Sequence, residues 1–384
     1  MKQVFQALGY SVSEYFRSLD KLLLVVSLLL SSFGLVMIHT ATYSSAKHDR
    51  CILIQSIAIG LGLIFIFILS KVRYDFFCRF SPAIVVGSFL LLLVTSVVAE
   101  DQSGNKSWLN FGPVNIQPAE FMKLALILTL SYHLSCIREQ MNQPKHLCFL
   151  IVHFCAYLIP VFFQGELGSA LVYIGIFIVM LFLAGLKYRY IIIASVLTVG
   201  AAPILWKCLK DYHRQRILFS LYPELDPLGF GYQPLLSKIA LGSGQLFGMG
   251  YGQGIQTQNE LLPASHTDFI FAIVGEEFGF FGCLFLIAGL LLLLFLIIRN
   301  ARLAKDFLGR MICIGIAAML GTQILINIGM CLGVSPVIGI TLPFISYGGS
   351  SALSVYLAIG FVESVHMKPD RSLRFGNRSK MHRP

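Results

Sequence analysis

Apolar residues in this chain gather into long runs separated by short polar breaks. Runs of spanning length cover 22–41, 51–70, 82–99, 119–137, 147–163, 167–185, 189–206, 268–298, 311–333 and 344–366. The hydrocarbon core of a bilayer is about 30 Å thick and takes about 20 helical residues. The pattern predicts an all-α polytopic membrane protein with ten transmembrane helices. The first run follows Arg17 and Lys21, as the apolar part of a secretory leader would. It is long enough to span, and more runs follow, so it reads as an uncleaved first helix. The fifth and sixth runs form a near-continuous hairpin, broken at Gln164-Gly165-Glu166. One break is long: residues 207–267 form a large loop between helices seven and eight. It holds Phe219, Tyr222, Phe230, Tyr232, Leu246 and Phe247, and a glycine cluster, GSGQLFGMGYGQG, at 242–254. So many apolar side chains argue against disorder, and long loops in compact proteins are commonly functional. Short interfacial helices are expected there. The whole chain, 1–384, reads as one membrane domain, with 1–21 as the N-terminal segment and 367–384 as a basic tail.

Charge orients these helices. Of the 29 basic residues, 20 fall in segments on the side of the N-terminus and eight on the other side, with Lys123 inside helix four. Cytoplasmic loops carry the excess of Lys and Arg, so both termini are expected in the cytoplasm and the 207–267 loop outside. Only 12% of the residues are charged and 56% are hydrophobic, against about 25% charged in soluble domains; a soluble enzyme is excluded. A net charge of +10 would suggest nucleic acid in a soluble protein. In a membrane chain with a polybasic tail it points to lipid headgroups instead. The nine cysteines form no CxxC pair and lie mostly in apolar runs, as small hydrophobes do.

Acids then mark where chemistry could sit. A central Asp costs about 2.5–3.5 kcal/mol on insertion scales, so intramembrane acids need a partner or a polar cavity. Asp268 stands where the long loop ends and helix eight begins. Capping the helix would explain it; so would a catalytic role. Glu276 and Glu277 lie about 12 Å deeper along that helix, at 1.5 Å per residue. They point to different faces, so at least one should meet a polar cavity or a basic partner. In QPAEFMK (117–123), Glu120 and Lys123 are three apart and can pair across one helical turn. Glu166 sits at the outer start of helix six. The stretch GVSPVIGITLPFISYGGSS (333–351), which contains Ser346 and Tyr347, has two prolines and four glycines and cannot be one unbroken helix. Irregular backbone at membrane depth survives only where it is buried in protein or lines a water-filled cavity. These features predict an outward-facing polar cavity. There is no Walker A run, HExxH or GxSxG, so the chain does not read as an ATPase, metalloprotease or serine hydrolase.

Six stretches carry a family resemblance: GNKSWLNFGPVNIQPAEFMK (104–123), QGELGSALV (164–172), YHRQRI (212–217), DPLGFGYQPLLSKIALGSGQLFGMG (226–250), LPASHTDFIFAIVGEEFGFFG (262–282) and NIGMCLGVSPVIGITLPFISYGGSS (327–351). In these the chain resembles the SEDS family, polytopic peptidoglycan glycosyltransferases represented by RodA and FtsW. The family usually has QPDLG where Gln164-Gly165-Glu166-Leu167-Gly168 stands, QPSE where Ala119 replaces the Ser, and PExHTD where Ala264 replaces the Glu. DYHRQRI, SKIALGSG and the short tails resemble the elongation type, RodA, more than FtsW.

The resemblance implies a ten-helix enzyme of the bacterial cytoplasmic membrane that polymerises lipid II on the outer face, in cell elongation or division. It implies a class B penicillin-binding protein as partner, with lipid II, undecaprenyl-pyrophosphate-linked glycan and membrane lipids as the other contacts. The family's essential aspartate matches Asp268, expected to act as general base. Glu120, Lys123, Glu166, Glu276, Ser346 and Tyr347 are expected around the cavity. Lys123, Arg214, Arg216 and Lys238 are the expected cations for the pyrophosphate. A divalent metal, Mg or Mn, is expected between Asp268 and the pyrophosphate, with no organic cofactor. Two other functions fit the helices: a lipid II flippase, and a non-catalytic scaffold for the penicillin-binding protein. A flippase needs a polar path open in turn to both sides, whereas the acids here crowd the outer half.

Overall fold

The structure is a computed structural model that describes residues 15, 17–46, 48–100, 105–112, 114–190 and 222–367, with 192, 193, 196, 200, 203, 206, 207, 214, 215 and 218–220. Its helices are α1 (Lys21–Thr42), α2 (His48–Lys71), α3 (Tyr74–Arg79), α4 (Ser81–Val98), α5 (Pro118–Cys136), α6 (Pro144–Phe163), α7 (Leu167–Ala184), α8 (Tyr232–Ser243), α9 (Ile255–Gln258), α10 (Ile270–Leu303), α11 (Phe307–Cys331) and α12 (Gly349–His366). Among the described residues, α1, α2, α4, α6, α7, α10 and α11 are long and apolar enough to cross a membrane. This is an all-α polytopic membrane fold. The expected seventh span, 189–206, lies largely outside the described residues.

Local signals set the boundaries. The Asp20 side chain caps α1 by accepting from Leu23 N–H, and Asp306 caps α11 by accepting from Gly309 N–H. Pro118 and Pro144 open α5 and α6, where a missing N–H costs nothing. Gly185 ends α7 in the left-handed region, at φ 104°. The core is one continuous apolar cluster. Here α12 packs along α2, α10 along α11 and α1, and α11 along α7 and α5.

Three features depart from the sequence reading. The break before α5 holds a short antiparallel hairpin, β1 (Leu109–Phe111) with β2 (Val114–Ile116), in the register Leu109 to Ile116. α12 begins at Gly349, five residues after the apolar run that starts at 344. α10 has 34 residues and is broken at Gly279, where φ is 64° and ψ is −160°. An unbroken helix of that length would run about 50 Å, well past a bilayer core. The long loop carries α8, α9 and a 3-10 turn at Pro223–Leu225.

Candidate functional site

A cavity of 780 Å³ opens at one end of the bundle. Its walls come from α2, the hairpin, the first turns of α5 and α7, the turn before α10 and the segment before α12. The proline-opened start of α5 places Glu120 and Lys123 on this wall. Lys123 Nζ donates to Glu120 Oε1 at 2.6 Å, and both residues are buried. The expected i, i+3 pair is formed. Ser354 Oγ donates to the other Glu120 oxygen at 3.3 Å. Glu166, just before α7, accepts a hydrogen bond from the Gln117 side-chain amide. Burial lifts its carboxyl above the usual range, against the pull of hydrogen bonds such as that from Gln117.

Asp268 lies in a turn organised by one carbonyl. Ala264, at φ 55°, turns its C=O toward the N–H groups of Thr267 (3.2 Å), Asp268 (3.0 Å) and Phe269 (3.3 Å). The irregular 333–348 segment holds this turn from the far side. Ser346 Oγ donates to Thr267 O at 2.5 Å and accepts from Leu342 N–H at 2.8 Å. Tyr347 N–H donates to His266 O at 2.9 Å, and the Tyr347 ring lies against the His266 ring, centroids 5.6 Å apart. The Asn327 amide donates to both Asp268 O (2.8 Å) and Ile340 O (2.7 Å). Gly339, at φ 70°, runs so near the carboxylate that an added β-carbon would stand 3.4 Å from Asp268 Oδ2.

Of the residues singled out in the sequence, Asp268, Glu120, Lys123, Glu166 and Tyr347 line the cavity, with His266. Others are elsewhere. Ser346 does not line it: its hydroxyl is used up behind the Asp268 turn. Glu276 faces away and accepts from Gln256 N–H (2.7 Å), Thr257 N–H (3.2 Å) and Thr257 Oγ1 (2.7 Å), capping α9. The Arg214 guanidinium donates to the carbonyls of Trp206 (2.8 Å) and Lys207 (2.5 Å) and is not on the cavity wall. Lys238 packs its stem against Gly333, at the end of α11, where an added β-carbon would come within 2.1 Å of Lys238 Cε. Arg216 lies outside the described residues.

The sequence reading missed Arg50 and Trp108, which line the cavity, and Asn327 and Gln55, which hold it from behind. Gln55 bridges the backbone of Ser346 and Gly348. A buried amide inside an otherwise apolar run was the available signal for the last two. Among the described residues, no group of three or more His, Cys, Asp or Glu is placed to hold a metal ion.

The FtsW/RodA/SpoVE family model, described as a cell cycle protein, matches residues 20–371. Stage V sporulation protein E of Bacillus subtilis is 37% identical over 356 residues, covering 90% of this chain and 96% of that protein. Peptidoglycan glycosyltransferase MrdB of Escherichia coli K12 is 34% identical over 352 residues, covering 91% and 93%. Two solved structures share the fold. A peptidoglycan synthase complex that coordinates polymerization and crosslinking superposes with a TM-score of 0.79 at 30% identity, over 91% of this chain and 97% of that one. The rod shape determining protein RodA of Thermus thermophilus gives a TM-score of 0.68 at 28% identity, over 91% and 96%. With the family model matched across nearly its full length, the chain belongs to the FtsW/RodA/SpoVE family.

Proposed function

We propose that this protein is a peptidoglycan glycosyltransferase that polymerises lipid II in the Asp268 cavity, in cell shape or division. The single observation that carries this is the convergence of Asp268, Glu120, Lys123 and Glu166 on one cavity, in a chain whose relatives are named peptidoglycan glycosyltransferases. The cavity end faces outward from the bacterial cytoplasmic membrane and both termini face the cytoplasm, as the 20-to-8 distribution of basic residues supports.

Asp268 acts as general base on the acceptor sugar hydroxyl. It takes the proton as the hydroxyl oxygen attacks the anomeric carbon. A glycosidic bond forms, and the bond from that carbon to the polyprenyl pyrophosphate breaks. Positioned proton transfer of this kind contributes about 10²–10⁴-fold. The turn around Ala264 and the amide of Asn327 fix the Asp268 backbone, so the carboxylate needs little reorganisation. Arg50 and Lys123 are cations on the cavity wall suited to the departing pyrophosphate. Magnesium or manganese fits this donor set: Mg²⁺ is commonly held by one or two carboxylates plus substrate phosphates rather than by an all-protein cage. Asp268 would hold it, and it would neutralise pyrophosphate charge. The partner is a class B penicillin-binding protein, consistent with the likeness to a synthase complex. Relatives of both the shape and the division type occur at similar identity, so the elongation-type assignment rests on DYHRQRI, SKIALGSG and the short tails.

The test is reconstitution. Purified protein, lipid II and magnesium should yield glycan strands resolved on a gel. Transbilayer movement of lipid II without strands would support a flippase, and neither activity would support a scaffold.

A further inference from the structure

The break in α10 is filled by another part of the chain. In an unbroken helix, Phe280 N–H would bond to Glu276 O, and Phe281 N–H to Glu277 O. All four of these groups bond to the long loop. Met249 N–H donates to Glu276 O (2.9 Å) and Gly250 N–H to Glu277 O (3.0 Å). On the other side, Phe280 N–H donates to Gln245 O (2.9 Å) and Phe281 N–H to Leu246 O (3.2 Å). The Gln245–Gly250 turn is thus spliced into two helical hydrogen bonds. The splice needs close backbone approach. A β-carbon on Gly244 would lie 1.8 Å from Gly275 O, and one on Gly248 2.1 Å from Glu277 O. Gly279, at φ 64° and ψ −160°, permits the break itself. The glycine cluster of the long loop is explained by this seat.

Glu276 fastens the seat. Its buried carboxylate grips the start of α9, a few residues beyond the turn, through Gln256 and Thr257. A β-carbon on Gly254 would come 2.5 Å from Glu276 Oε2, so the loop lies directly on this carboxylate. If the turn leaves, Glu276 O and Glu277 O recover their helical partners once Gly279 relaxes, so α10 keeps its backbone satisfied in both states. Elements with two satisfied arrangements are the ones that switch.

The outer piece of α10, Ile270–Phe278, runs directly from the Asp268 turn, so the helix sets that turn from one side while Asn327, Ser346 and Tyr347 hold it from the other. Asp268 stands on a lever of about 15 Å measured from the break, at 1.5 Å per residue. A tilt of about 4° at Gly279 moves the carboxylate about 1 Å, a displacement that can cost about 10²-fold in rate. We propose that the spliced Gln245–Gly250 turn, locked by Glu276, is a positioning element that sets Asp268 for reaction, and that its withdrawal would switch the site off. This rests on the glycosyltransferase reading above.

The test uses a reversible tether. Phe247 and Phe281 are both exposed and stack at 5.3 Å between ring centroids across the splice. Phe247→Cys and Phe281→Cys, with Cys136, Cys148, Cys155 and Cys208 replaced by Ser, can be bridged by a bis-methanethiosulfonate reagent and released by reductant. In the released form, Glu276→Ala should lower kcat for lipid II polymerisation about tenfold or more with KM within about twofold, the signature of lost transition-state positioning. Bridging should restore kcat, and reductant should remove the gain. With Glu276 intact, the bridge should leave kcat unchanged. If Glu276→Ala does not fold, Thr257→Val removes one of the three hydrogen bonds and should show a smaller, equally bridge-rescued loss. The proposal is overturned if released Glu276→Ala or Thr257→Val keeps wild-type kcat. It is overturned too if bridging fails to rescue a folded variant, or if the bridge inactivates the Glu276 form. Failure of the parent reading looks different: wild-type protein would then make no strands.

Discussion

The two ends of this bundle both bury acids, and they use them differently. At the cavity end, buried Glu120 and Glu166 and half-buried Asp268 surround an open volume of 780 Å³, and the backbone is irregular on several sides. At the opposite end, Asp20 and Glu363 sit among helix termini in regular packing. Asp20 Oδ2 accepts from Arg299 (2.5 Å) and Asn300 (2.8 Å), Glu363 Oε2 accepts from Asp20 N–H (3.1 Å), and His366 Nδ1 pairs with Asn300 Oδ1 (2.7 Å). That cluster ties α1, α10 and α12 together. Burial alone therefore does not separate the two ends; what the oxygens face does.

The largest effect expected from this contrast is at Asp268. Asp268→Asn keeps the shape of the side chain and removes the base, so the polymerisation rate should fall about 10²–10⁴-fold. A variant within threefold of wild type would remove Asp268 from the chemistry.

Next comes the buried pair on α5. Removing one partner of a buried ion pair commonly costs about 3–5 kcal/mol, because a charge is left unpaired. Glu120→Gln or Lys123→Met alone should therefore lower stability or activity more than the double change, measured by melting in detergent and by strand synthesis. Simple additivity would show that the 2.6 Å contact carries no coupling.

Smaller again is Arg214→Lys. The Arg214 guanidinium is spent on two backbone carbonyls. Lysine should leave KM for lipid II unchanged and lower stability by about 1 kcal/mol, the net worth of a typical hydrogen bond. A raised KM with unchanged melting would return Arg214 to the substrate.

The smallest effect is a pH dependence at the opposite end. Burial pushes the Asp20 carboxyl up, but hydrogen bonds from Asn300 and Arg299 outweigh it and hold the group below its usual range. A depressed folded pKa adds stability above the unfolded value, near 3.9, and that stability is lost as pH falls through the folded value. Melting of wild type should drop on acidification below about pH 4 more steeply than melting of Asp20→Asn. Parallel curves would show that Asp20 does not titrate with folding.

Much of this was legible in the sequence. Apolar runs located the described helices to within a few residues, because a bilayer enforces length and composition. The Glu120–Lys123 pair followed from helical spacing, and the irregular 333–348 segment from its prolines and glycines. What was not legible depends on contacts far apart in the chain. Glu276 reads as a cavity acid until α9, some 20 residues earlier, is seen to sit on it. Ser346 reads as a site hydroxyl until Thr267 is seen to consume it. The break at Gly279 hides in the run because nothing in VGEEFGFFG (274–282) singles it out from Gly275 and Gly282, and the turn that fills it comes from the preceding loop. The placement of the cations was hidden for a related reason: the Arg214 guanidinium bonds two backbone carbonyls and the Lys238 stem packs on Gly333, and neither residue lines the cavity.

The most direct test measures Asp268→Asn and Asp20→Asn side by side, for strand synthesis per folded molecule and for melting temperature in the same preparations. The account predicts a crossed result: Asp268→Asn melts like wild type and makes strands about 10²–10⁴-fold more slowly, while Asp20→Asn melts lower and makes strands at near-wild-type rate per folded molecule. Strand synthesis near the wild-type rate in Asp268→Asn, or lost in folded Asp20→Asn, would contradict it.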